Sequence, residues 1–220
     1  MDLHGVTIRH ITYPLWLIKN GKYNVLNYWK EYERSQYMNK CDIEKEQFRL
    51  IKILLQHAYD SCPFYRERFD NMGIMPNDVN NMNDYQKIPV LKKQDIQDNY
   101  LKMKSNKYDE KDLVPNRTGG STGSPLRFYH DRERTLTMQA ATMRHFRWAG
   151  YNIGDKLGII WGNRQDIAGV KKIKGRIRDH LIGRSMILDS SSITEEKMQY
   201  FANSLRKFRP KVIQAYANAM

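Results

Sequence analysis

Cysteine, glycine and proline are scarce in this chain. Its 220 residues hold two cysteines, Cys41 and Cys62, and 20 glycines and prolines together. Two thiols are too few for a disulfide scaffold or a four-ligand zinc site, so a reducing, cytoplasmic setting is expected. The low Gly and Pro content excludes a collagen-like or low-complexity chain, and 11% aromatic residues argue against wholesale disorder. Long apolar runs are missing too. The best is Tyr13-Pro14-Leu15-Trp16-Leu17-Ile18, short of the ~7–15 residues of a signal-peptide core and the ~20 of a membrane span. A soluble protein is expected, with peripheral membrane contact left open. Acidic residues are outnumbered, 24 against 37 Lys and Arg, for a net charge of +13. That balance favours an anionic partner without choosing among nucleic acid, phosphate-bearing ligand and acidic membrane.

What is present divides at residue 112. The region 1–112 reads as helical. Leu26, Trp29, Glu33 and Tyr37 recur at helical spacing, and Phe48, Ile51, Leu54, Leu55 and Ala58 form an i, i+3, i+4 stripe in a helix starting at Asp42. That helix should stop near Ser61, because Pro63 biases Cys62 out of the α region. A short helix over 65–72 should end at Gly73, and another is expected over 92–99. The region 113–220 alternates strands and helices. Strands are expected near 126–129, 156–162, 186–188 and 212–216, and Asp131 should cap a helix over 132–148. Ile167, Val170, Ile173, Ile177 and Leu181 form a further helical stripe. Ser192 with Glu195 reads as a capping box for a helix through Leu205. The alternation implies an α/β fold with some parallel pairing. Residues 217–220 read as the start of another helix, so the expectation is a sequence that stops inside a β–α unit.

Residues 117–125, Arg117-Thr118-Gly119-Gly120-Ser121-Thr122-Gly123-Ser124-Pro125, carry the most chemistry. Three glycines in five positions (119, 120 and 123) free the backbone for positive φ and close approach of a ligand. Successive N–H groups in such a turn can converge on an anion, and Thr118, Ser121, Thr122 and Ser124 add hydroxyl donors. The segment matches neither G-x-x-x-x-G-K-[ST] nor G-x-G-x-x-G. On composition alone, a phosphate cradle and a plain Gly/Ser hairpin both fit.

The run Thr118 through Pro125 resembles the Ser/Thr/Gly-rich phosphate loop of the adenylate-forming (AMP-binding) enzymes. Its surroundings resemble the branch of phenylacetate–coenzyme A ligases, coenzyme F390 synthetases and CapK-type capsular polysaccharide proteins. The resemblance extends to Glu33-Arg34-Ser35-Gln36-Tyr37, Leu54-Leu55-Gln56-His57-Ala58, Cys62-Pro63-Phe64-Tyr65-Arg66 and Ile88-Pro89-Val90-Leu91-Lys92-Lys93. Beyond the loop it includes Trp148-Ala149-Gly150, Gly154-Asp155-Lys156, Ile160-Trp161-Gly162 and Arg209-Pro210-Lys211-Val212-Ile213-Gln214-Ala215-Tyr216. The resemblance implies that 113–220 begins an α/β AMP-binding core and that the chain is the N-terminal portion of such an enzyme, inactive alone. The activity implied is attack of a carboxylate on the α-phosphorus of ATP, giving acyl-AMP and pyrophosphate. Transfer to coenzyme A or another acceptor would follow, in capsular or cell-surface polysaccharide biosynthesis for the CapK type. ATP with Mg²⁺, a carboxylic acid and coenzyme A are the implied ligands. Thr118, Gly119, Gly120, Ser121, Thr122 and Gly123 would hold the β- and γ-phosphates. Two departures stand out: Gly119 replaces a common Ser, and Leu126 replaces a Lys for which Arg117 or Arg127 would substitute. The family's later adenine-, ribose- and lysine-bearing motifs have no counterpart in 1–220, so no catalytic residue is assigned.

By the same resemblance Trp161 and Tyr216 end strands that line the acyl pocket; aromatic core packing accounts for them equally well. The pair His57 and Cys62 reads as a helix-end histidine and an inert buried thiol rather than a nucleophilic pair. The six histidines show no metal spacing. Residues 164–184 carry seven basic side chains against Asp166 and Asp179, most simply a solvated helix face. The competing function is a non-enzymatic basic module for nucleic acid or an acidic surface, although no zinc-finger, RRM or KH signature is present.

Overall fold

The computed structural model describes residues 2–118, 125–162 and 179–215. They fall into two compact units, Met1–Tyr32 with Gln139–Met220, and Glu33–Met138. The division at residue 112 follows a change in element type, whereas these units follow packing.

In the unit Glu33–Met138, α4 (Lys40–Ser61) starts where the Asn39 side chain accepts from the Asp42 N–H, two residues before the predicted start. It ends because Cys62, ahead of a proline, is extended (φ −119°, ψ 109°). Pro63 then occupies the first turn of α5 (Pro63–Met72), so this helix begins two residues before the predicted position. A proline is well placed there, since the N–H it lacks would have no partner. Gly73, at φ +64°, closes α5, with the Ile74 N–H returning to the Phe69 carbonyl at 3.2 Å. Leu55, Phe69 and Val79 form the buried centre, surrounded by Phe48, Ile51, Tyr65 and Ile88. Short helices α6 (Met82–Gln86) and α7 (Lys93–Asp98) follow, and then β1 (Val114–Arg117) and β2 (Arg127–His130) pair antiparallel. Strand β1 was not legible in the sequence.

In the other unit the chain opens with α1 (Leu3–Thr7), a π turn (Ile8–Thr12) and α2 (Tyr13–Lys19), which run on without a break. The Tyr13 N–H reaches the Ile8 carbonyl five residues back. Pro14 explains the wider turn: its missing N–H and its ring disfavour ordinary α geometry against the preceding turn. Next comes α3 (Asn24–Ser35), which begins in this unit. Helix α8 (Arg132–Trp148) begins in the unit Glu33–Met138, where Asp131 Oδ1 accepts from the Arg134 N–H at 2.7 Å as expected. It continues into this one, where Gly150 follows it at φ +81°. Strands β3 (Leu157–Trp161), β4 (Ser185–Asp189) and β5 (Val212–Ala215) form a parallel sheet in the order β4-β3-β5. The cap of α9 (Glu195–Phe208) is Thr194, accepting from the Lys197 N–H; the predicted Ser192–Glu195 box does not form. Starting there places Glu195 and Glu196 in the first turn, where the helix dipole favours them. The predicted stripe over 167–181 lies outside the described residues as far as 178, and Asp179–Gly183 is a π turn.

The first helix meets the sheet through two glycines. A Cβ on Gly154, which sits at φ +87°, would lie 2.2 Å from the Gly5 carbonyl oxygen. Charges surround this contact. Arg184 bridges the Gly154 carbonyl (2.8 Å) and the Asp2 carboxylate. Arg9 reaches the Ile153 carbonyl (3.0 Å) and Asp155 (3.3 Å), and Lys211 takes the other Asp155 oxygen at 2.8 Å. The Gly5 N–H, and then Arg184, hold the Asp2 carboxyl below the usual carboxylate range. Gly158 is a milder case, where an added Cβ would touch Leu205, Pro210 and Ile213 at 3.1–3.4 Å.

Gly154→Ala should cost about 2–4 kcal/mol, from left-handed strain plus the clash. Gly158→Ala should cost about 1 kcal/mol, since the Leu205 side chain can yield. Urea unfolding distinguishes the two, and equal losses would contradict the close glycine contact. Because folding lowers the Asp2 pKa, its stabilisation is present above its ordinary value of 3.8 and lost as pH falls through the folded value. The stability gap between wild type and Asp2→Asn should therefore be open at neutral pH and close in acid.

Candidate functional site

The hairpin positions the predicted loop. Strands β1 and β2 run in register from Val114↔His130 to Arg117↔Arg127. One residue further on, the Thr118 N–H donates to the Leu126 carbonyl at 2.9 Å, and the Leu126 N–H donates to Thr118 Oγ1 at 3.0 Å. The chain thus leaves and returns through a neck closed by two hydrogen bonds. Gly119, Gly120, Ser121, Thr122 and Gly123 lie outside the described residues, as does Ser124. Thr118 is described, and its hydroxyl oxygen accepts at the neck.

Arg117 and Arg127, named from sequence as substitutes for a missing lysine, are direct cross-strand neighbours at the base of the loop, and both are exposed. Directly opposite side chains of an antiparallel pair share a face, and like charges there are destabilising. An anion held between or above them reverses that cost. Neither spacing nor composition signals the pairing, because it depends on the register of the hairpin.

Beside the hairpin, within the same unit, is an open cleft of about 1040 Å³. Thr118 and Leu126 contribute to its wall, and Leu54, Leu91, Tyr100 and Tyr129 give it an apolar and aromatic lining. Tyr100 and Tyr129 stack with centroids 5.2 Å apart. Lys104 Nζ lies 5.9 Å from the Tyr129 ring centre and 2.6 Å from Glu110 Oε1. Tyr108 donates to Asp131 Oδ2 at 3.2 Å, while Oδ1 caps α8. Burial, and then the Asp131 charge, push the Tyr108 phenol upward. The lining of the cleft suits an apolar or aromatic group, with Arg127 at its wall and the Lys104 charge shared with Glu110. The sequence reading missed it. The tyrosines at 100, 108 and 129, flanking the loop, were the available signal.

Trp161 is at the carboxyl end of β3, opposite Asp189, and its carbonyl accepts from the Ser190 N–H at 3.0 Å. It is half-buried in the unit that contains the sheet, whereas Thr118 belongs to Glu33–Met138. Tyr216 follows β5 and lies outside the described residues, as do 164–178 of the basic segment. His57 and Cys62 are separated by Ser61: its Oγ lies 3.2 Å from His57 Nε2, donates to the His57 carbonyl, and is 4.0 Å from Cys62 Sγ. Burial pushes the Cys62 thiol up, opposite to what a nucleophile requires. Among the described residues no group of three His, Cys, Asp or Glu side chains is placed to hold a metal.

No family model matches the chain. The phenylacetate-coenzyme A ligase of Pseudomonas putida is 28% identical over 178 residues, covering 81% of this chain and 39% of the relative. That of Escherichia coli K12 is 28% identical over 172 residues (78% and 38%), and that of Aromatoleum evansii 26% over 188 (86% and 41%). The chain spans about two fifths of the length of these curated relatives. Among solved structures, 2-hydroxyisobutyryl-CoA ligase in complex with 2-HIB-AMP and CoA in the thioesterification state matches with a TM-score of 0.58 at 18% identity. The match covers 80% of this chain and 37% of that one. An open conformation of the same ligase with 2-HIB-AMP and CoA gives 0.57 at 16%, covering 80% and 38%. The α/β fold expected from the sequence is thus that of part of an adenylate-forming ligase structure.

The cysteines offer a direct check on the site. Iodoacetamide at neutral pH should label exposed Cys41 at least about tenfold faster than Cys62, which should react only on unfolding. Peptide mapping reads the outcome, and comparable native rates would contradict the inert buried thiol.

Proposed function

We propose that this chain provides the phosphate-binding part of an ATP-dependent acid–coenzyme A ligase, which activates a carboxylic acid as acyl-AMP and passes the acyl group to coenzyme A. The observation that carries this reading is the placement of Arg117 and Arg127 side by side beneath the neck of the Gly/Ser/Thr loop. The relatives' names support ligase chemistry, and the structural neighbours are complexes with an acyl adenylate and CoA. Adenylation asks little acid–base work of the protein. It requires the polyphosphate to be aligned and the charge developing on the leaving pyrophosphate to be stabilised.

In this reading the N–H groups of 119–123 and the hydroxyls of Thr118, Ser121 and Thr122 bind the β- and γ-phosphates. Arg117 and Arg127 supply the positive charge that a lysine at position 126 would otherwise give. Mg²⁺ fits as a companion of the nucleotide: it binds chiefly through phosphate oxygens and water and needs few protein carboxylates. Trp161 and Tyr216 remain our assignment for the acyl pocket, on the strength of their strand-end positions. Use of ATP and coenzyme A goes with a cytoplasmic location. The relatives name the phenylacetate branch, so phenylacetate is the first substrate to test, and they add no support for the CapK-type role in polysaccharide synthesis.

Calorimetry of Mg-ATP and of pyrophosphate against the 220-residue chain tests the loop directly. Binding is expected, and Arg117→Ala and Arg127→Ala should each weaken it about tenfold, the scale of a lost charged hydrogen bond. In an enzyme that includes this chain, Thr122→Ala or Gly123→Val should impair carboxylate-driven ATP–pyrophosphate exchange. Unchanged binding and exchange would refute the loop assignment. Strong, salt-sensitive RNA or DNA binding without nucleotide affinity would establish the competing basic module, which the +13 charge favours.

A further inference from the structure

The first helical segment has two apolar faces. Gly5, Ile8, Tyr13 and Leu17 are buried. Leu3, Ile11, Leu15 and Ile18 are large, aliphatic and 70%, 54%, 59% and 57% exposed. In an unbroken α-helix the eight steps from Leu3 to Ile11 overshoot two turns by about 80°. The wider π turn Ile8–Thr12 absorbs most of that excess. Leu3 and Ile11 therefore face the same way, with Ile18 about two turns further on. One bulge keeps both the buried and the exposed face aligned.

The segment that carries the exposed face is cationic in sequence. From residue 3 to residue 30 there is no Asp or Glu, while Arg9, Lys19, Lys22 and Lys30 all fall there. Arg9 is engaged with Asp155, but Lys19 is exposed at the end of α2 and Lys22, just beyond it, is half-buried. Lys22 Nζ sits 5.7 Å from the ring centre of Trp16, which is half-buried, and Tyr23 next to it is exposed. An aliphatic stripe bordered by lysines, an indole and a phenol, with no carboxylate in its sequence, matches the boundary between headgroups and acyl chains of an anionic bilayer. Among the described residues no helix is long and apolar enough to cross a membrane, so the contact would lie in the plane of the interface.

We propose that this face seats the protein on an anionic lipid surface, with Ile11, Leu15 and Ile18 at the acyl boundary and Lys19 and Lys22 on headgroup phosphates. The test is flotation of the full 220-residue chain with vesicles of phosphatidylcholine alone or with roughly one third phosphatidylglycerol. Binding is expected on the anionic vesicles only. The Ile11→Asp/Leu15→Asp/Ile18→Asp variant should lose at least about tenfold in partitioning, with an unchanged urea midpoint because these side chains are exposed. Lys19→Glu/Lys22→Glu should lose about fivefold per charge, and it decides the question if the triple variant fails to fold. Absence of binding, equal binding to neutral vesicles, or wild-type partitioning by the decisive variant would overturn the proposal. A concentration-dependent oligomer that the triple variant abolishes would do so too, by assigning the face to a second copy.

Discussion

The unit that contains the parallel sheet depends on one approach of backbone to backbone, Gly5 on Gly154. No side chain separates the first helix from the turn that feeds β3, so the two are fixed at a distance only glycines permit. The charges around it then have fixed partners. Asp155 accepts from Arg9, Lys211 and the Asn152 N–H, and Arg184 spans the helix start and the Gly154 carbonyl. Asp155, Arg184 and Arg9 are partly withdrawn from water, so deleting a partner leaves them poorly compensated. The same knot ties the starts of β3, β4 and β5 together, with the Leu157 N–H on the Arg184 carbonyl and the Lys211 N–H on the Lys156 carbonyl. Stability is therefore concentrated at the amino edge of the sheet. The carboxyl edge, where Trp161 and Asp189 end their strands, is the edge at which open α/β sheets hold ligands.

The hairpin works on the opposite principle. Both residues of the Arg117–Arg127 pair are exposed, β1 is exposed throughout, and a two-stranded ribbon has little intrinsic stability. Like charge at its tip costs more than it contributes until an anion arrives. A ligand that neutralises the pair gains from relieving repulsion as well as from its own contacts. The Thr118–Leu126 neck keeps that tip in register meanwhile.

Much of this architecture could be read from single residues with local consequences. Asp131 had to cap, Gly73 had to close a helix, and the apolar run at 157–161 had to become a strand, because each follows from backbone chemistry within a few positions. Ser192 matched a capping pattern as well as Thr194 does, and the chain starts its helix where Glu195 and Glu196 fall at the positive end. Strand β1 escaped notice because Pro115 and an exposed face leave no alternation to see. The glycine contact and the arginine pair were illegible for another reason. Each joins positions whose relation is set by packing or register, 149 residues apart in one case and across a loop in the other. The loop itself was recognised from its residue types and its neighbours, and the hairpin adds what stands beneath it.

The π turn at Ile8–Thr12 makes the residue count of the first helix a structural quantity. Deleting one residue there would let ordinary α winding keep both faces in phase, since seven steps fall only about 20° short of two turns. Adding one more would instead rotate everything before it by about 100°. Gly5 would leave Gly154, Asp2 would leave Arg184, and Leu3 would swing off the stripe it shares with Ile11. A substitution in this segment alters one side chain, whereas the gain of one residue exchanges whole faces. Length variation here should therefore be tolerated only in steps that bring the helix back into phase, while the loops that follow are free of that constraint.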